Sequence, residues 1–376
     1  MRIKIQRKDL LVAIQRMQGV VERRNTMPIL SHILMEAQRD SISLFATDLE
    51  IGIQGTYPAK VLEPGQSTLS ARKLYELVRE LPEGVIEIQT QENNWVVIQS
   101  QKSHFKIAGL PPQEFPSPPS YETGVKMHID PALFSSLIRK TIFASGENDS
   151  RYILNGILVQ LLNGKKKGVR LVATDAHRLA VAEGEAKHTG EQEEQVIVPK
   201  KAMLEIKKAL DEQKDGGAEE SPSAPEFLIG KNQLLFKQGS LVITSRLMEG
   251  HYPNYKQVIP IGNHVALTLK KEALEGGLRR VSLLAREKTN AVKFHVEKGC
   301  LLLNSSNPEL GEANEEIATD FSGEGFVIGF NAKYFIDILS VLEGEEVILE
   351  LKDAFSPCLI RDEARGFLAV VMPMRS

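Results

Sequence analysis

Ser41-Ile42-Ser43-Leu44-Phe45-Ala46-Thr47-Asp48 returns, 127 residues later, as Val169-Arg170-Leu171-Val172-Ala173-Thr174-Asp175. Apolar and polar residues alternate along both, as in a strand with one buried face. A third, fainter copy is Cys300-Leu301-Leu302-Leu303-Asn304-Ser305-Ser306-Asn307. Recurrence at a long, regular spacing means that the chain is built from copies of one unit.

The copies sit in a larger repeating frame. Proline is dense from Gly109-Leu110-Pro111-Pro112 through Pro116, Pro118 and Pro119 to Gly124. Such a stretch excludes helix and central strand and reads as an extended spacer. A second spacer runs Gly250-His251-Tyr252-Pro253 through Pro260 to Gly262. The 376 residues are too many for one ordinary core, and the spacers cut them into thirds, 1–122, 123–254 and 255–376. Each third opens with an amphipathic segment whose residues at i, i+4 and i+7 share one face of a helix. They are Leu10, Ile14 and Met17; Phe134, Ile138 and Thr141; and Leu274, Leu278 and Val281. Asp130-Pro131 adds an Asx cap and a first-turn proline to the second of these. Gly276-Gly277 weakens the third by ~1 kcal/mol per glycine, which predicts close packing or a bend there. Second helices are expected over 71–81, 199–210 and 331–342, each followed by a strand pair. Every third therefore reads as an α+β unit. Lys187 to Gln195 and Asp211 to Glu226 read as polar surface loops.

Composition narrows the function. Hydrophobic residues at 42% and charged residues at 25% belong to a globular protein. With 46 Lys+Arg against 49 Asp+Glu, the net charge of -3 argues against a surface that grips nucleic acid everywhere. Cys300 and Cys358 form no ligand pair, so a zinc module or disulfide framework is not expected. The alternating start, Met1-Arg2-Ile3-Lys4-Ile5, is not a secretion signal, and no apolar run is long enough for a membrane span. A single tryptophan, Trp95, is thin provision for stacking single-stranded bases.

Catalytic signatures are missing. There is no GxxxxGK[ST], HExxH, EF-hand loop or GxSxG, and Gly164 to Gly168 reads as a charged hairpin turn. Asp48 and Glu50 read as a solvated strand end. The one tempting cluster is Thr174-Asp175-Ala176-His177-Arg178-Leu179, where Asp175 and His177 form a candidate hydrolase dyad without a Ser or Cys nucleophile motif.

The basic residues are more telling. Over the six expected helices, 17 Lys+Arg face 9 Asp+Glu, while the rest of the chain carries 29 against 40. Arg16, Lys140 and Arg280 fall at one repeat position, and Lys73, Lys201 and Lys333 at another. A basic helical face in an acidic molecule suits phosphate contact without sequence specificity.

Met27-Pro28-Ile29-Leu30, Arg151 to Gly156, Ala173 to Val181, Tyr252-Pro253-Asn254-Tyr255, Asn304 to Pro308 and Val370 to Arg375, in that order on a threefold repeat, closely resemble the β subunits of bacterial replicative DNA polymerase, the sliding clamps. The resemblance covers essentially the whole chain. It implies three repeated DNA-clamp domains, each two helices packed on antiparallel sheets, forming half of a head-to-tail dimeric ring. The ring would encircle duplex DNA without sequence specificity and without catalysis. Implied partners are a second copy, the replicative polymerase α subunit, the clamp loader, and other DNA polymerases and repair proteins. No cofactor, metal or membrane is implied, and the location is the cytoplasm.

The resemblance also implies sites. A partner-peptide pocket matches Leu154, Thr174, His177, Arg178, Leu179, Pro253, Val258, Val371, Met372, Pro373, Met374 and Arg375. Methionine and leucine make an adaptable apolar floor, while His177 and Arg178 can orient a peptide. Gln257 stands where the family often has a basic residue. Duplex contacts match Arg24, Arg72, Lys73, Asn148, Tyr152, Lys200 and Lys201, with Asn148 in place of a longer glutamine. At the ring seam, Phe105 would pack on Leu283 and Leu284, while Lys102, His104 and Lys106 would face Glu309, Glu312, Glu315 and Glu316. A specialised clamp copy, such as one conferring drug resistance, would share these marks.

Overall fold

A computed structural model describes residues 1–21, 27–119, 123–147, 149–164, 167–215, 224–287 and 289–374. Among them are six α-helices: α1 (Arg7–Met17), α2 (Ala71–Glu80), α3 (Pro131–Ile142), α4 (Lys200–Asp215), α5 (Lys271–Ser282) and α6 (Ala332–Leu339). Their apolar spacing becomes buried stripes, such as Leu10, Ala13, Ile14 and Met17 on α1. Asn331 caps α6 by accepting from the Lys333 N–H at 2.9 Å. Gly277 of α5 is buried, and a Cβ there would sit 3.0 Å from Glu315 Cγ and 3.2 Å from Ile317 Cδ1. Close packing, rather than a bend, is what the glycine serves. Two expected loops differ. Residues 211–215 extend α4, and Lys207 Nζ lies 2.5 Å from Asp211 one turn on. Lys187–His188 forms a short strand.

The chain divides into two compact units, Met1–Pro131 with Leu204–Leu247, and Ala132–Met203 with Met248–Ser376. The middle third of the sequence is thus shared between them. In the first unit one long antiparallel sheet runs, in order, Val125–His128, Glu226–Ile229, Gln233–Gln238, Leu241–Arg246, Ile51–Pro58, Ser41–Thr47, His32–Gln38 and Gly65–Ser70. A short sheet runs Lys60–Glu63, Arg2–Gln6, Val85–Thr90, Trp95–Ser100 and Ser103–Ala108.

The second unit has the same plan. Its long sheet runs Glu194–Pro199, Gly156–Asn163, Lys167–Thr174, Arg178–Glu185, Phe367–Val371, Cys358–Asp362, Glu346–Leu351 and Val265–Lys270. Its short sheet runs Gly311–Ala318, Cys300–Asn307, Ala291–Glu297 and Phe326–Asn331. Phe294, Phe330 and Phe335 pack ring on ring beneath it, with centroids 5.0–5.2 Å apart.

Each long sheet joins two sequence thirds, and both joins use one register. Gly52 pairs with Thr244 in the first, and Leu179, 127 residues on, pairs with Val370 in the second. The strand that follows each quoted copy is therefore the one that receives the neighbouring third.

Candidate functional site

The recurring Ala-Thr-Asp closes each of two hairpins as a hydrogen-bonded clasp. Thr174 Oγ1 accepts from the Ala176 N–H at 3.0 Å and donates to the Arg178 carbonyl at 2.7 Å. Asp175 Oδ1 accepts from the N–H groups of His177 and Arg178 at 2.9 and 3.0 Å. Thr47 and Asp48 repeat the pattern on Leu49, Glu50 and Ile51. Ala176 and Leu49 take φ of +70° and +77°, which the side-chain bonds hold in place. The other Asp175 oxygen binds Arg178 Nε at 2.9 Å. Asp175 is therefore committed to the turn and to Arg178, and His177 projects exposed. This is not a catalytic dyad.

Above this turn lies an apolar cavity of about 320 Å³ in the second unit. Of the expected pocket residues, Leu154, Thr174, Arg178, Leu179, Pro253, Val258 and Met372 line it together. Val371 does not; it is fully buried on the other face of its strand, and the adjacent Val370 lines the cavity instead. His177 is not among the lining residues either; its carbonyl accepts from the Met372 N–H at 2.9 Å. Met374 donates its N–H to the Gly329 carbonyl at 2.8 Å. Pro373 is half-buried between them, outside the cavity lining. Arg375 lies outside the described residues.

Arg178 is more engaged than its sequence position indicates. Its guanidinium binds Asp175 at 2.9 Å and Asp337 of α6 at 2.6 Å. It also lies 4.5 Å from the Tyr334 ring centroid and 5.5 Å from that of Phe143. The side chain is only 10% exposed, so it shapes the wall of the cavity rather than projecting into it. Asp337, Tyr334 and Phe143 are missed by sequence reasoning. So is Tyr252, whose hydroxyl accepts from the Thr174 N–H at 3.1 Å and whose phenol is pushed up by burial. Arg151 completes the rim and holds the Asp149 carboxyl down at about 2.

The expected duplex contacts fall in three groups. Arg24 and Asn148 lie outside the described residues. Arg72 and Lys73, at the start of α2, are 70% and 68% exposed and share Glu76 at 2.7 and 3.0 Å. Lys200 is drawn against Glu147 at 2.9 Å and lowers that carboxyl's pKa, while Lys201 beside it is half-buried. Tyr152 is exposed, and its hydroxyl donates to the Glu249 carbonyl. The six observed helices together carry 17 Lys+Arg against 10 Asp+Glu. The repeat-related cations do not form one uniform face. Arg16 is committed to Glu212 at 2.7 Å, and Arg280 to Glu315 at 2.6 Å. Lys140 is buried, which pushes its ammonium pKa down. Charge at a helical position does not reveal which face tertiary packing will cover.

In the first unit Phe105 is 39% exposed on an edge strand, beside exposed Lys102, His104 and Lys106. In the second, Leu283 is 77% exposed after α5 and Leu284 is half-buried. Gly311–Ala318 is likewise an edge strand; Glu309, Glu312 and Glu316 are exposed on or beside it, and Glu315 turns inward to Arg280. No cluster of metal-ligating side chains occurs among the described residues, and no described helix is long and apolar enough to cross a membrane.

Residues 1–119, 128–254 and 256–375 match, in turn, the N-terminal, central and C-terminal domains of the DNA polymerase III beta subunit. The chain is 36% identical over 379 residues to a beta sliding clamp of Caulobacter vibrioides and 34% over 378 to one of Pseudomonas aeruginosa, covering all of each chain. Among solved structures, a sliding clamp of Bartonella birtlesii bound to griselimycin matches with a TM-score of 0.92 at 34% identity. The Pseudomonas aeruginosa DNA polymerase III subunit beta matches at 0.91 and 33%, and both matches cover all of each chain.

Proposed function

The chain belongs to the DNA polymerase III beta subunit family, and from that premise we propose that it is a sliding clamp. The end-to-end match of three successive family domains carries this reading. The protein encircles duplex DNA without sequence specificity and tethers the polymerase and other DNA-processing proteins. It does no chemistry itself, and the clasp that consumes Asp175 removes the reason to suspect a hydrolase. The domains run 1–122, 123–254 and 255–376, and the working form is a head-to-tail homodimeric ring in the cytoplasm. Two of the sheet edges, Ser103–Ala108 and Gly311–Ala318, support that closure, since an exposed strand edge is a template for pairing. Basic residues such as Arg72 and Lys73 touch phosphates loosely enough to slide.

The cavity around Leu179 and Met372 takes an extended peptide with Leu or Phe anchors, presented by the replicative polymerase α subunit, the clamp loader and repair polymerases. Its apolar lining and fixed wall support this. A loaded ring should stay on nicked circular duplex and be lost through free ends once the circle is cut. Gel filtration of the loaded complex before and after linearisation tests this; equal retention on both forms would refute encirclement.

A further inference from the structure

A second depression of about 350 Å³ opens on the second unit's long sheet, next to the first cavity. Leu179 pairs with Val370 across the ladder, and both line the first cavity. Val181 pairs with Leu368 two residues further along the same strands, and both line the second. All four residues belong to or pack on one buried cluster. The bays are therefore ~7 Å apart, the rise of two residues in an extended chain.

Tyr255 lines both bays and divides them. Its hydroxyl donates to Gln160 Oε1 at 2.8 Å and accepts from Arg170 at 3.4 Å, so the divide is fixed. Arg170 is also bound to Glu183 at 2.7 Å, and Arg361 to Glu350 at 3.1 Å. Lys256 on the same rim is exposed, and no carboxylate among the described residues pairs with it.

We propose that this bay receives the continuation of the peptide anchored in the first cavity, taking an apolar side chain two residues from the anchor and a carboxylate next to it. The inference rests on the first cavity being the peptide pocket. Side chains i and i+2 of an extended peptide project to one side at the spacing of the two bays. Val181, Phe367 and Leu368 suit a leucine-sized group. Lys256, the rim cation that no carboxylate among the described residues pairs with, suits a carboxylate.

The test uses the full-length dimer and fluorescein-labelled peptides read by anisotropy. A short peptide that ends on its Leu and Phe anchors is compared with versions lengthened at either end by a Leu-Asp segment, ordered so that the leucine falls two residues from the nearer anchor, or by a Ser-Ser segment. One Leu-Asp extension should tighten binding about tenfold, and the Ser-Ser ones should not. Lys256→Glu should remove about fivefold of that gain and leave the short peptide unaffected. Leu368→Ala, checked for an unchanged fold by circular dichroism, should remove the apolar part of the gain. Equal affinity for Leu-Asp and Ser-Ser extensions, or a gain that survives both variants, overturns the second bay alone. If no peptide binds, the pocket reading falls and the second bay with it. Self-association of dimers that Lys256→Glu abolishes would assign the bay to a second ring instead and overturn the peptide.

Discussion

Arg178 is one side chain that holds four groups: Asp175 in its own turn, Asp337 on α6, and the rings of Phe143 and Tyr334. Asp337 is 27% exposed and Arg178 would keep Asp175, so removing the Asp337 carboxylate costs about 1.5 kcal/mol, the scale of a lost charge-assisted hydrogen bond rather than of a lone buried charge. Asp337→Ala should therefore lower stability against urea by about that amount and weaken anchor-peptide binding, although Asp337 does not line the cavity. Asp337→Glu should restore both. Unchanged peptide affinity in the alanine variant would mean that Arg178 does not position the wall. Arg178 and Asp175 were legible because they are neighbours in a recurring motif. Asp337 lies 159 residues away, and no local pattern announces it. The clasp was half legible: Asp and Thr in a short turn offer oxygens to the N–H groups ahead of them. The Ala-Thr-Asp recurrence marked the segment but read as strand, and its meaning was open between chemistry and structure; the strands in fact stop at Thr174 and resume at Arg178, leaving Asp175 in the turn. The hydrogen bonds decide for structure.

At the scale of elements, side-chain spacing placed the helix that opens each third and position in the repeat placed the second, because burial of one stripe is a local rule that tertiary context did not override. Charge was less transparent. Arg16 and Lys140 share a helical position, yet one is tied to Glu212 and the other is buried. Arg72 and Lys73 remain accessible on the first turn of α2. Replacing both with glutamine should lower the slope of log affinity against log salt for a short duplex by about two, one for each phosphate left without its cation. Lys140→Gln should leave the slope unchanged. Titration of labelled duplex across a salt series reads both, and equal slopes for all three proteins would remove α2 from the DNA surface.

The thirds of the sequence are not the compact units of the molecule, because the long sheets are built across the boundaries between thirds. Strand pairing between repeats leaves no trace in either strand's own composition, so the repeat was legible and its joints were not. Those joints nevertheless give an expectation for the proposed seam. Thr47, Thr174 and Ser306 are equivalent in the repeat, and they pair across their hairpins with Gly52, Leu179 and Glu312. Gly52 receives Thr244, which lies three residues past the hairpin pair Gln238–Leu241. In the first third the matching hairpin pair is Ser100–Ser103, and three residues past it is Lys106. Applied to ring closure, the same rule sets Glu312 opposite Lys106 of a second copy, and the antiparallel ladder then sets Asn314 opposite His104 and Ala313 opposite Phe105. In that register Lys106 would face a carboxylate, and the exposed ring of Phe105 would face a small residue. Directly opposed Cα atoms lie ~4.5–5.5 Å apart, within disulfide reach, whereas positions two residues off lie ~7 Å or more apart. His104→Cys with Asn314→Cys should therefore cross-link the ring on mild oxidation, seen as a covalent dimer on a non-reducing gel. His104→Cys with Glu312→Cys or with Glu316→Cys should cross-link poorly. The background reaction of half-buried Cys300 is controlled with Cys300→Ser. Preferential cross-linking by either slipped pair would break the shared register, and with it the inference that the seam repeats the joints within the chain.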